Sequence, residues 1–190
     1  INFYDIFNLN NMRLAYFIFF FLFISCNNNP EWKYLFNGEN LDGWEIKIRE
    51  HKIGENFKNT FKVDNGAIKV SYEEYDEFDK KFGHIFYVKE KFKNYQLSLD
   101  YKFSGSHLKG APGWSIKNSG IMLHCQDPHT MLVDQEFPVS SEAQLLGGLG
   151  EGERSTANMC SPGTDVDING SLAQYHCINS SSKTFHEDDW

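Results

Sequence analysis

Hydrophobic and polar positions along this chain alternate in short runs separated by turn residues. In "YQLSLDYKF", residues 95–103, Tyr95, Leu97, Leu99, Tyr101 and Phe103 fall on one side. Gln96, Ser98, Asp100 and Lys102 fall on the other. A period of two marks a strand with one apolar face. In "FKVDNGAIKV", residues 61–70, alternation flanks Asn65-Gly66. That pair tolerates the positive φ angles of a tight turn, so the run predicts a hairpin. "NSGIMLHC", residues 118–125, sets Ser119, Ile121, Leu123 and Cys125 against Asn118, Gly120, Met122 and His124. "SEAQLLGG", beginning at Ser141, sets Glu142, Gln144 and Leu146 against Ala143 and Leu145. Between these runs lie an acidic loop (72–81), a Gly-containing loop (104–115) and a long Gly-rich stretch (147–171). No internal repeat is evident, and no segment after Cys26 carries a helical period of convincing length. The pattern predicts an all-β protein, a sandwich or jelly roll of antiparallel sheets.

A polar strand face is either a solvated outer surface or the wall of a groove, and periodicity does not choose between them. If the sheet curves and the strands at 118–125 and 141–146 are neighbours, Asn118, Met122, His124, Glu142 and Gln144 share a concave side. Hydrogen-bonding groups beside apolar ones suit a sugar, whose hydroxyls need partners and whose C–H faces need apolar contact. Trp44 and Trp114 are the aromatic candidates for stacking on a ring, with Trp44 better placed for the core.

Composition and charge narrow the class. Aromatic residues make up 16% of the 190-residue chain and include 17 Phe, which favours strands. A net charge of −8 argues against nucleic acid, whose phosphates select basic surfaces. The first residue is Ile, and the first Met is Met12. Residues 1–11 are expected to be translated upstream sequence and 12–25 a signal peptide. Arg13 precedes the apolar run Leu14 to Ile24, too short for a membrane span of about 20 residues but right for a secretory signal. The run ends in Ser25-Cys26, which resembles a bacterial lipobox, with "NNNP" (27–30) as a tether. An ordinary signal peptide is the alternative. The expectation is an exported lipoprotein attached to a membrane through lipid on Cys26, in the periplasm or on the outer surface of a Gram-negative bacterium.

Export permits disulfides. Cys160 and Cys177 flank a turn-rich loop, and a bridge between them would contribute about 3 kcal/mol by chain entropy. Two free thiols, or a metal site with His176, are the alternatives. Cys125 reads as a buried thiol on an apolar strand face.

Five stretches in order, "LFNGENLDGW", "FKVDNGAIKV", "NYQLSLDYKF", "NSGIMLH" and "SSEAQLLGG", together resemble the 3-keto-disaccharide hydrolase-like domain of secreted bacterial lipoproteins, over residues 31–190. The resemblance implies a concanavalin-A-like jelly roll of two curved antiparallel sheets. The family pattern runs on beyond Trp190, so C-terminal strands are expected to be missing. It also implies cleavage of glycosides oxidised to a ketone at C3. Such a ketone acidifies the C2 hydrogen, so a base can form an enolate, expel the C1 substituent and let water add back. The chemistry needs a tuned base and a donor, cation or divalent metal ion for the enolate oxygen. Glu142 is the first candidate for the base and His124 the second. Gln144 and Asn118 are candidates for holding sugar oxygens, Lys102 a weaker electrophile and Trp114 a stacking platform. A non-catalytic carbohydrate-binding module on the same fold remains the alternative, because fold does not fix function. A purely structural domain is a third.

Overall fold

The computed structural model describes residues 32–186. The expected signal segment, Cys26 and the expected tether lie outside the described residues, as does most of the ending "HEDDW". Residues from Leu35 onward make one compact unit.

Regular structure in this unit is β, with three single 3-10 turns at Phe57–Asn59, Gly113–Ser115 and Pro128–Thr130. Strands β1 (Trp44–Ile48) and β4 (Gly83–Tyr87) form one antiparallel pair, and β2 (Phe61–Asp64) and β3 (Ala67–Val70) another. A four-stranded sheet has the order β10 (Cys177–Ile178), β7 (Asn158–Cys160), β6 (Ser141–Leu146), β5 (Asn118–Leu123). A small pair joins β8 (Asp167–Ile168) to β9 (Ser171–Leu172). All pairings are antiparallel. The fold is therefore the expected all-β architecture. Its described strands divide among four sheets rather than closing into two continuous curved ones.

The hairpin forms as its sequence requires. Asp64 pairs with Ala67, and Asn65 (φ 51°) and Gly66 (φ 77°) take the two left-handed positions of the turn. The buried core collects where the two small sheets meet. Ile46, Ile48 and Phe61 lie at its centre, packed by Leu41, Phe57, Ile68 and Ile85.

The other side of β1 is also covered, and by polar means. Lys47 is 2% exposed, and its Nζ donates to the carbonyls of Ile48 (2.9 Å) and Val133 (3.0 Å). Its cross-strand partner His84 bonds through Nε2 to the carbonyl of Glu136 (2.7 Å), and Arg49 Nε donates to that of Asp134 (3.1 Å). Three side chains thus hold the 133–136 backbone against the sheet, each by a bond to a main-chain carbonyl.

Two expectations fail. The run 95–103 joins no ladder, and Tyr95, Leu97, Leu99 and Tyr101 are 37–45% exposed. Alternation is a property of one segment, whereas a ladder needs a second backbone, and β5 pairs on one edge only, with β6. Nor is the Ile121/Leu123 side of β5 core. Both residues are half-buried, and so is Cys125, which lies past the strand end.

Candidate active site

The β5–β6 register fixes which side chains share a face. Gly120 lies opposite Gln144 and Met122 opposite Glu142. On the next strand Glu142 lies opposite Cys160 and Gln144 opposite Asn158. Directly paired residues project to the same side, so Gly120, Met122, Glu142, Gln144, Asn158 and Cys160 form one polar and sulfur-rich face. Burial deepens towards β7, where Asn158 is 2% and Cys160 1% exposed. Cys160 is joined to Cys177 by a disulfide, with Cα atoms 4.1 Å apart, which ties β7 to β10.

Glu142 is half-buried on this face and has no hydrogen bond or ion pair among the described residues. Burial without a compensating cation pushes its carboxyl above the usual range. Its side chain lies across Gly120. A Cβ at that glycine would stand 2.7 Å from the carboxyl carbon and closer still to Oε1. The missing side chain on β5 is what gives the carboxylate its place.

Gln144, two residues on, is oriented by a chain of bonds. The Ser180 backbone N–H donates to Asn158 Oδ1 (3.0 Å), so the other end of the Asn158 amide must be the donor. That donor, Nδ2, bonds to Gln144 Oε1 (3.0 Å). The Gln144 amide is thereby turned so that its Nε2 hydrogens are left to donate elsewhere. A half-buried carboxylate and an oriented N–H donor therefore stand about 7 Å apart along one strand face.

The remaining candidates sit elsewhere. His124 follows the end of β5 in a left-handed conformation (φ 48°), so strand alternation stops before it. It is exposed and lines an open cleft of about 380 Å³ with Lys93, Asn94, Tyr95 and Leu123. Glu142 is not part of that lining. Asn118 lies at the other end of β5, where its Nδ2 donates to the Trp114 carbonyl (3.0 Å) and closes the preceding turn. Trp114 is 56% exposed and stacks on Phe82, with ring centroids 5.8 Å apart. Lys102 is exposed on the run that joins no ladder. Among the described residues no group of three or more His, Cys, Asp or Glu is placed to hold a metal ion.

Residues 31–190 match the family model of the 3-keto-alpha-glucoside-1,2-lyase-like domain. The chain belongs to this family. No curated protein and no solved structure gives a match. The 3-keto-alpha-glucoside-1,2-lyase-like domain is thus a carbohydrate-related module covering the whole compact unit, and its face at β5–β6–β7 carries the carboxylate.

Three participants on this face escaped the sequence reading. Gly120 falls on the right side by alternation, but periodicity gives a glycine no role there. Asn158 was lost in the Gly-rich stretch, because a three-residue strand shows almost no period. Ser180 acts through its backbone, which no side-chain pattern reveals.

Proposed function

We propose that this domain cleaves 3-keto-glycosides by 1,2-elimination, with Glu142 as the base. The carrying observation is a half-buried carboxylate that no cation among the described residues neutralises, seated over a glycine on the same face as an oriented amide donor. The family description, with its 3-keto-alpha-glucoside and 1,2-lyase, supports the substrate class and the bond.

The ionised Glu142 carboxylate takes the proton from C2. The C2–H electron pair forms a C2–C3 double bond, and the ketone oxygen becomes an enolate. A group whose proton affinity is raised by burial is a stronger base than a solvated carboxylate. Gln144 Nε2 donates to the developing oxyanion, and its orientation is fixed in advance by Asn158 and Ser180, so little reorganisation accompanies the charge. Collapse of the enolate restores the ketone, forms the C1–C2 double bond and expels the C1 oxygen with its aglycone, which takes up a proton. Addition of water at C1 would complete a net hydrolysis.

The test is incubation of the full chain with a 3-keto-glucoside in deuterated buffer. Deuterium at C2 of recovered substrate, together with release of the aglycone, is expected. A protein that binds the sugar and yields neither is a carbohydrate-binding module.

The proposal extends to place. Arg13, the apolar run Leu14 to Ile24 and Ser25-Cys26 support export and lipid attachment at Cys26, and a disulfide suits an exported protein. Expressed in a Gram-negative host, the wild type is expected in the membrane fraction and Cys26→Ser outside it. Equal partition of the two would remove the anchor.

A further inference from the structure

The cleft beyond β5 lies outside the face that carries Glu142, and its lining has a consistent chemistry. Lys93 supplies an ammonium, Asn94 an amide, His124 an imidazole and Tyr95 a ring, with Leu123 beneath. No carboxylate is among them, although the chain carries 26 Asp and Glu against 18 Lys and Arg. Among the described residues Lys93 has no carboxylate partner, whereas its neighbour Lys91 faces Asp127 at 3.7 Å. The volume, about 380 Å³, holds one sugar ring and its substituent.

The aromatic wall is supported from behind. The Tyr95 ring meets His124 at 5.6 Å between centroids and is braced edge-on by Phe92 at 5.8 Å. Phe92 in turn stacks on Tyr87 of β4 at 6.0 Å. Tyr95 is 39% exposed, so it offers a ring face or edge and a phenol while its base is held. The left-handed backbone at His124 is what brings the imidazole into this cleft rather than along the strand.

We propose that this cleft is a saccharide subsite selective for a sugar ring bearing a carboxylate, a uronate. Lys93 meets the carboxylate, Asn94 and the His124 imidazole meet ring oxygens, and Tyr95 packs against the C–H surface of the ring. The proposal deepens the carbohydrate reading by naming a charged substituent, and it does not depend on Glu142 being the base.

The experiment titrates methyl glucuronide and methyl glucoside into the full chain and into its Lys93→Ala, Lys93→Arg and Glu142→Gln variants, read by calorimetry. Wild type is expected to bind the glucuronide at least tenfold more tightly, with the preference shrinking as salt rises from about 10 mM to 0.5 M, as screening requires. Lys93→Ala is expected to erase the preference, Lys93→Arg to restore most of it, and Glu142→Gln to leave it intact. Equal affinity for the two sugars, binding of neither, or an undiminished preference in Lys93→Ala overturns the proposal. Failure of Glu142→Gln to turn over substrate while the preference persists bears on the base alone.

Discussion

Glu142 shows how one residue is read in two steps. Alternation in "SEAQLL" placed it beside Gln144 on a polar face, and the register across β5 and β6 gives that placement a meaning. What the sequence concealed is the partner that makes room. Gly120 looks like any strand glycine, yet a Cβ there would collide with the Glu142 side chain. Gly120→Ala is accordingly expected to fold, since the collision is with the movable end of a side chain, and to displace the carboxylate. Activity on a 3-keto-glucoside should fall at least tenfold at an unchanged melting temperature, and unaltered kinetics would show that the seat does not matter. The carboxyl itself carries a signed cost. Its folded-state affinity for a proton is raised by burial, so it favours folding below the usual carboxyl range and loses that contribution as pH rises through the raised value. Its ionised form opposes folding, and an uncharged glutamine in its place should not lower the melting temperature. His124 illustrates the limit of alternation. A single left-handed residue at a strand end takes the next side chain off the face, and nothing in "IMLHC" announces it.

At the scale of elements, the legible ones carried their own turn or their own partner. The Asn65-Gly66 hairpin was complete within ten residues, and β5 and β6 were each visible as six alternating positions. The run 95–103 had the clearest alternation of all and joined no ladder, because a period describes a side-chain preference and a ladder depends on a neighbouring backbone. The short strands β7 to β10 were illegible for want of length. The clamp of 133–136 against β1 and β4 was also hidden, since Lys47 and His84 look like solvent-facing residues until the loop covers them. His84 makes this element sensitive to acid. Burial, then the positive charge of Lys47, holds its imidazole below the usual range, outweighing its bond to the Glu136 carbonyl. A group depressed in the folded state contributes stability above its unfolded value, about 6.5, and loses it as pH falls through the lowered folded value. Unfolding free energy should therefore decline below about pH 6.5, by at most about 1.4 kcal/mol per pH unit from this one group. His84→Gln should flatten that part of the curve in denaturant titrations, and a slope identical to wild type would place the acid sensitivity elsewhere.

For the whole molecule, the family and the all-β class were legible because five motifs in order constrain far more than any one of them. The division of labour within the domain was not. The sequence alone puts His124 and Glu142 over one groove, whereas the structure gives Glu142 a sheet face and gives His124 a separate cleft with Tyr95 and Lys93. The account stands on the sheet face being where chemistry happens. Its most direct test is turnover of a 3-keto-glucoside by Glu142→Gln beside wild type, both as the full chain. The account predicts a fall of about 10²–10⁴-fold, the usual contribution of a general base, in a variant that melts no lower than wild type at pH 7. Turnover within a few-fold of wild type would contradict it.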